Sequence, residues 1–520
     1  MALKYPLGIQ TFKRLVKEGF IYVDKTEMVY NLAHSGTYFF LSRPRRFGKS
    51  LLLSTIDAYF SGQKELFEGL AIEKLETEWE SYPVLRIDLN AGDYTVDVSN
   101  LINKLDGIML NYEEAFNIPK QGDTVGDRFG NLIRNIFNKT GKQVVILVDE
   151  YDKPLIANIE RDKWDLQEKM RNTLKSFYGN VKTMDPYIKF AFFTGVSRFS
   201  HVSIFSDINN LTDISLDARF SAICGISEEE LHHYCDEGVA ELADYCQMTK
   251  DEAYTELKHM YDGFCFSAHG KALYNPWSIF MALNRREFDS YWYATGTPTF
   301  LIKLIREKRI DLTQLDSHID ADSSTMMSND DNDNLLAVLY QSGYLTIKGY
   351  DAKARTYTLG IPNGEVMQAF SANLLPYYSH LDRPQAGSLR AKIFRAAQAG
   401  NVDTLLTTLK GILAEAPVES NDERIIELNY RNIVAIALRM SGLDVHIEQP
   451  TSASRIDLAL EADDYVYIME FKRTTLEAAA LQLESRHYAD SYLNDSRRVM
   501  KIAIALDDSI KNISSWQVLE

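Results

Sequence analysis

The chain has 520 residues, 45% of them hydrophobic and 25% charged, which is close to the average for globular chains and rules out whole-chain disorder. Its net charge of −17 excludes indiscriminate coating of nucleic acid, and its four scattered cysteines (Cys224, Cys235, Cys246, Cys265) exclude a disulfide framework. The longest apolar runs fall far short of the ~20 residues of a membrane helix, and the start MALKYPLGIQ lacks the apolar core of a signal peptide. A cytoplasmic chain without a membrane partner is expected. Charge is uneven: residues 1–50 carry nine Lys/Arg against three acids, a surplus suited to an anion.

In chain order, 38-YFFLS-42 reads as a short buried strand, followed by RPRRFGKS and an apolar helix at 51–60. A second strand is expected at 83–89, helices at about 97–117 and 125–140, and a third strand at 143–148 that ends in Asp149 and Glu150. A fourth strand, 188–193, ends in Thr194 and Gly195. Apolar strands alternating with helices indicate an α/β fold with a parallel sheet covered on both faces. No repeat of 20–50 residues is present, so a solenoid is not expected.

From about 226 helices take over, the first opening with a Ser227–Glu230 capping pattern. The polar tract 320–334 reads as a loop. A helix running into a strand over 335–350, then a strand at 356–362, has the shape of a small winged-helix module. Helices fill about 364–415, and 416–423 reads as a linker. The rest is an α/β unit: a helix at 424–440, strands at 444–448, 455–460, 465–471 and 499–505, and a helix at 475–494. This gives three domains: 1–225, a helical and winged-helix-like region at 226–415, and 416–520.

Arg43-Pro44-Arg45-Arg46-Phe47-Gly48-Lys49-Ser50 lies between a strand and a helix and matches the phosphate loop G-x-x-x-x-G-K-[ST], except that Arg43 holds the first Gly position. Backbone N–H groups at the helix start would face the phosphates. Lys49 would reach the β- and γ-phosphates, and Ser50 would ligate Mg2+. The candidate nucleotide-binding set is Arg46, Phe47, Gly48, Lys49, Ser50 and Asp149. A basic turn before an ordinary helix is the plain alternative. The run QVVILVDE favours the nucleotide, because Asp149 can hold Mg2+ and Glu150 can orient the attacking water. A strand at 83–89 between the two motifs fits the ATPase branch whose sheet has an additional strand. Thr194 would then be a polar sensor, with Arg198 and Asn209 as further candidates.

Near the end, Asp457 lies on one expected strand and Glu470 and Lys472 on the next. Residues two apart on a strand share a face, so Glu470 and Lys472 point the same way, and Asp457 joins them if the strands pair. Two carboxylates suit Mg2+ or Mn2+, with the lysine a cationic partner for water or phosphate. Glu427, on a helix, could add a carboxylate, and Gln482 could cover the site. A charged edge-strand stripe is the plain alternative. His232 and His233 diverge by about 100° on a helix and are not read as a metal pair. The run 330–333 lacks the features of a calcium loop. The aromatics 291-YWY-293 read as packing.

The stretches YVDKT (22–26), SRPRRFGKSLLLS (42–54), ILVDEYDKPL (146–155), TGVSRFS (194–200), YDGF (261–264) and YNPWS (274–278), with RIDLAL (455–460) and MEFK (469–472), resemble a bacterial and archaeal AAA-ATPase-like family often paired with a C-terminal PD-(D/E)XK nuclease-like domain. The resemblance implies a P-loop NTPase sheet, a C-terminal α/β restriction-endonuclease-like domain, ATP and Mg2+ as cofactors, and nucleic acid as a partner. It implies metal binding by Asp457 and Glu470, nucleophile positioning by Lys472 and a helix carboxylate at Glu427. The expected function is an ATP-binding and ATP-hydrolysing domain coupled to a Mg2+-dependent nuclease acting on phosphodiesters. The rivals are an ATP-dependent switch or scaffold whose terminal domain binds without cutting, and a nuclease with a purely structural nucleotide site. Oligomeric state stays open.

Overall fold

The structure is a computed structural model that describes residues 3–158, 163–197, 204–205, 210–292, 305, 319–326, 335–416, 423–450, 455–473, 475–486, 490, 492, 494–507 and 512–519. Within these, 383, 423–429, 431, 448–450 and 455 are described by backbone alone. Contacts divide the chain into two compact units. One takes the described residues up to Trp292 with Asp320–Pro362, and the other takes Ile305, Ile319 and the described residues from Asn363 onward.

The first unit is built on a five-stranded parallel sheet of β1 (Tyr38–Ser42), β2 (Val84–Asp88), β3 (Val144–Asp149), β4 (Ile188–Gly195) and β5 (Thr212–Asp213), in the order β2-β3-β4-β1-β5. Every residue of β1 and β3 is buried, as the unbroken apolar runs require of a sheet covered on both faces. The strand that separates β1 from β3 is β4, while 83–89 forms β2 at the sheet edge. The additional strand is therefore β4, which carries Thr194.

Helices Val98–Ala115 and Val125–Thr140 lie within two residues of expectation, fixed by the caps Asp97 and Thr124 and by Gly141 in the left-handed region. Helix Trp164–Thr183, not assigned from sequence, adds Met170, Leu174, Phe177 and Val181 to the same core. A second core gathers helices Glu228–Cys246, Lys250–Tyr261 and Pro276–Arg285. The Ser227–Glu230 capping box is present as read, and Thr249–Glu252 forms another. Helix Leu335–Ser342 leads into the antiparallel pair β7 (Thr346–Asp351) and β8 (Thr356–Gly360). The tract 320–334 is not wholly a loop: β6 (Ile319–Asp322) joins this hairpin at β8, and the turn Ser323–Met326 follows, with the Asp322 carboxylate accepting from Thr325 N–H at 2.6 Å. Residues 327–334 lie outside the described set.

The second unit carries a mixed sheet, β13-β12-β11-β10-β9, of β9 (Asp444–Pro450), β10 (Arg455–Glu461), β11 (Tyr465–Lys472), β12 (Arg498–Asp507) and β13 (Asn512–Leu519). Only β11 and β12 run parallel. Helix Glu423–Arg439 precedes the sheet, and helix Leu476–Ser485 packs against β11 and β12, ending nine residues before the expected 494. The edge strand β13 was not expected. The boundary read near 416 falls inside this unit, because helices Gly364–Tyr378, Arg383–Gln398 and Val402–Ala414 pack with it. Tyr467 donates its hydroxyl hydrogen to the Ala397 carbonyl, Trp516 Nε1 to Asp403 at 2.8 Å and Asn512 Nδ2 to the Lys410 carbonyl at 3.1 Å.

Candidate functional sites

The carboxyl ends of β1, β3 and β4 converge, since Ser42 pairs with Gly195 and Val148 with Phe193. This is where open α/β sheets bind ligands. After β1 the chain turns through Arg46 (φ 67°) and Gly48 (φ 92°) and enters helix Lys49–Phe60. Glycine suits the left-handed geometry at 48, and no neighbouring atom lies within 4 Å of where its Cβ would stand, so the loop mouth is open there.

The loop's side chains face several ways. Phe47 is buried against Phe264 and Phe266, with ring centroids 4.8 and 5.3 Å away, and Arg46 stacks over Trp277 at 4.2 Å. Both side chains are thus engaged with neighbouring aromatics, which leaves the backbone N–H groups as what these two positions could present in the loop. Lys49 is buried and donates to the carbonyls of Arg43 (3.0 Å) and Pro44 (3.2 Å), with Glu150 Oε1 3.9 Å away. Arg43 does not mark damage: its guanidinium donates to the carbonyls of Ser42, Ser215, Phe220 and Ser221 and lies 4.2 Å from the Phe266 ring centroid. It ties the loop to two neighbouring segments.

At the end of β3, Asp149 is buried and accepts a hydrogen bond from the Thr194 hydroxyl at 3.0 Å. Burial pushes its carboxyl above the ordinary value, the nearby Ser50 hydroxyl opposes this, and the Glu150 charge adds to it. Ser50 and Asp149 are thus neighbours, as two ligands of one hard cation would have to be. Glu150 has φ 53°, an uncommon backbone state for a glutamate.

Sequence reasoning passed over Asp152, three residues after Asp149. It is fully buried, and its Oδ2 accepts from Val196 N (3.1 Å), Ser197 N (2.6 Å) and Ser197 Oγ (2.8 Å). Burial, reinforced by the Glu150 charge, raises its carboxyl to about 6. A third acid in 149-DEYD-152 was the available signal. Arg198 and Asn209 lie outside the described residues.

In the second unit the β10–β11 register pairs Leu458 with Met469, which sets Asp457 opposite Glu470 one step on. The Asp457 carboxylate accepts from Phe471 N at 2.9 Å. Glu470 is fully buried and Lys472 Nζ is 2.8 Å from its Oε1, yet neither carboxylate oxygen accepts a well-aligned hydrogen bond among the described residues. Burial raises the Glu470 carboxyl to about 7, with Lys472 opposing and Asp457 adding. β11 is paired on both sides, so the plain edge-strand alternative does not hold. No group of three or more metal-ligating side chains occurs among the described residues. The site is a carboxylate pair with a lysine. Glu427 lies in helix Glu423–Arg439 with only its backbone described. Gln482 is on the helix over β11 and β12.

Other sequence features settle as packing. The His232 ring stacks on Tyr254 at 4.0 Å, and Cys224 and Cys235 are buried free thiols. Tyr291 and Trp292 are buried, and Trp292 Nε1 donates to the Arg45 carbonyl at 3.0 Å. Tyr293 and residues 330–333 lie outside the described set. Among the described residues no helix is long and apolar enough to cross a membrane.

A phosphate-loop turn at the carboxyl ends of a parallel sheet, and a carboxylate pair with lysine on a mixed sheet, define a two-part chain: an ATPase-like unit and a nuclease-like unit. Residues 6–205 match the family described as predicted AAA-ATPase, and residues 425–516 match the PD-(D/E)XK nuclease superfamily. A protein of Azotobacter chroococcum mcd 1 named "Uncharacterized protein in vnfD 5'region" is 35% identical over 502 residues, covering 94% of this chain and 93% of its own. The chain belongs to the AAA-ATPase-like family and carries a domain of the PD-(D/E)XK nuclease superfamily.

Proposed function

We propose that the protein binds and hydrolyses ATP at the loop after β1 and cuts nucleic-acid phosphodiesters at Asp457, Glu470 and Lys472. The observation that carries the cutting site is Glu470: a fully buried carboxylate, opposite a second one, that has the Lys472 ammonium at 2.8 Å and no well-aligned hydrogen-bond donor among the described residues. Burying Glu470 beside the half-buried Asp457 carboxylate is costly, and a hard divalent cation offsets that cost. The residues therefore fit Mg2+ or Mn2+, held by Asp457 and Glu470. When bound, the ion supplies Lewis acidity and a more acidic water.

Lys472 presents its ammonium on the same face, where it neutralises charge on the phosphate or the attacking oxygen. Glu427 is the helix carboxylate assigned to this centre by family resemblance. In the first unit Lys49 exchanges its two loop carbonyls for phosphate oxygens, and the N–H groups of Arg46, Phe47 and Gly48 line the turn. Ser50 and Asp149 hold Mg2+, Glu150 orients the hydrolytic water, and Thr194 fixes Asp149.

The test is a cleavage assay on DNA and RNA oligonucleotides with Mg2+ or Mn2+, with and without ATP, for the wild type and Glu470→Gln. Cleavage by the wild type alone supports the reading. No cleavage of either nucleic acid by a folded, ATP-hydrolysing wild type refutes it in favour of a switch that binds without cutting.

A further inference from the structure

Helix Arg383–Gln398 carries four basic residues and no acid, in a chain of net charge −17. Its buried face is small and apolar: Ala386, Ile393, Ala396 and Ala397. The flanking face presents Gly387, Arg390, Ala391, Phe394 and Arg395, at the i, i+3, i+4, i+7, i+8 spacing of one helical stripe. With Ser441 this stripe lines a groove of about 420 Å³. Phe394 is 41% exposed, unusual for a phenylalanine in a face otherwise made of charge and small residues. Arg390, Lys392 and Arg395 are exposed, and no carboxylate forms an ion pair with them among the described residues. Arg390 donates only to the neutral Gln368 Oε1, at 3.2 Å.

We infer that this groove is a docking track for single-stranded nucleic acid, separate from the carboxylate site. The inference rests on the proposed function for its ligand class. Two arginines flanking an exposed aromatic ring offer phosphate contacts on either side of a base-stacking surface, the combination that binds single strands without sequence preference. Gly387, with no atom within 4 Å of its would-be Cβ, leaves room at one end for a close backbone approach. None of the residues that line the groove belongs to the carboxylate site: they lie on helix Arg383–Gln398 and at Ser441, before β9, whereas Asp457 lies on β10 and Glu470 and Lys472 on β11.

The experiment is fluorescence anisotropy of labelled 20-nucleotide DNA and RNA single strands and a DNA duplex with the full chain in EDTA, so that nothing is cut, over a salt series from about 50 to 200 mM. The expected result is preferential single-strand binding by the wild type. The double variant Arg390→Gln, Arg395→Gln should bind at least tenfold more weakly at low salt, with the slope of log affinity against log salt reduced by about 1.4, the share of two phosphate contacts on a single strand. Phe394→Ala should weaken binding fivefold or more, and Arg390→Lys with Arg395→Lys should keep the wild-type slope. Circular dichroism melts establish that each variant is folded. If the neutralised chain binds and responds to salt like a cutting-competent wild type, the groove is refuted and the proposed function stands. If the wild type neither binds nor cuts, both fall. Preferential duplex binding overturns the track, as does a wild-type dimer that Phe394→Ala dissociates without any oligonucleotide binding.

Discussion

Lys472 Nζ lies 2.8 Å from the fully buried Glu470 carboxylate, two residues back on the same face of β11. The lysine is 30% exposed at its side chain and the glutamate not at all, so the pair is a boundary between solvent and core. The ammonium relieves part of the burial cost of Glu470 and leaves the rest as a raised carboxyl.

A pH dependence follows for the metal-free chain. Between the ordinary value of 4.5 and about 7, folded Glu470 keeps a proton that the unfolded chain has lost. The folded state binds more protons there, so stability falls as pH rises through that window. Asp152 acts in the same direction, but only up to about 6. Asp57, Asp149 and Asp262 are also raised by burial, so in the interval from about 6 to 7 it is the comparison with Glu470→Gln that isolates Glu470. Thermal melts in EDTA should show a falling Tm for the wild type in that interval and a flatter one for Glu470→Gln. Equal slopes would contradict the assignment.

Lys49→Ala should remove the charge-assisted contact to phosphate, worth about 1.5–3 kcal/mol, and weaken ATP binding roughly 10–150-fold. Isothermal titration calorimetry of the folded variant reads this directly. Unchanged ATP·Mg2+ affinity would move the nucleotide away from the loop.

Glu150→Gln separates turnover from binding. Loss of a general base lowers rate about 10²–10⁴-fold, and the neighbouring Asp149, Ser50 and Lys49 are left in place. The expected outcome is ATP bound near wild-type affinity with turnover slowed by that factor, read from phosphate release. A wild-type rate would return Glu150 to a structural role, one compatible with its left-handed backbone.

What was legible in the sequence was local. The apolar runs of β1 and β3, the capping box at Ser227 and the shared face of Glu470 and Lys472 depend on residues a few positions apart. What was not legible depends on partners far along the chain. That β4, rather than 83–89, separates β1 from β3 is a pairing across about 150 residues, and it alone brings Thr194 to Asp149. The helices over 364–414 looked like a middle region because nothing local shows that Tyr467, Asn512 and Trp516 bond back to them. Arg43 looked like a missing glycine because the four carbonyls it serves lie at 42 and at 215–221.

That arrangement makes Arg43→Gly an informative substitution, since it restores the usual phosphate-loop pattern and should nonetheless harm the protein. Arg43 is 1% exposed, and its guanidinium donates to Ser42 and Ser215 carbonyls at 2.8 and 2.9 Å and to Phe220 and Ser221 carbonyls at 3.3 Å. Its removal takes a donor from four buried carbonyls, of which Phe220 keeps the Ile223 N–H at 3.2 Å; each one left without a donor costs about 1–3 kcal/mol, and a void opens against Phe266. Glycine also adds unfolded-state freedom. Water entering the void recovers part of this, so a net loss of about 2–4 kcal/mol is expected, typical of breaking a buried hydrogen-bond network. Denaturant melts with and without ATP·Mg2+ check it. The loss should be visible without nucleotide, because the bonds are within the protein. A variant as stable as the wild type would show that Arg43 merely fills the position, and that the loop is held by Phe47 and Gly48 alone.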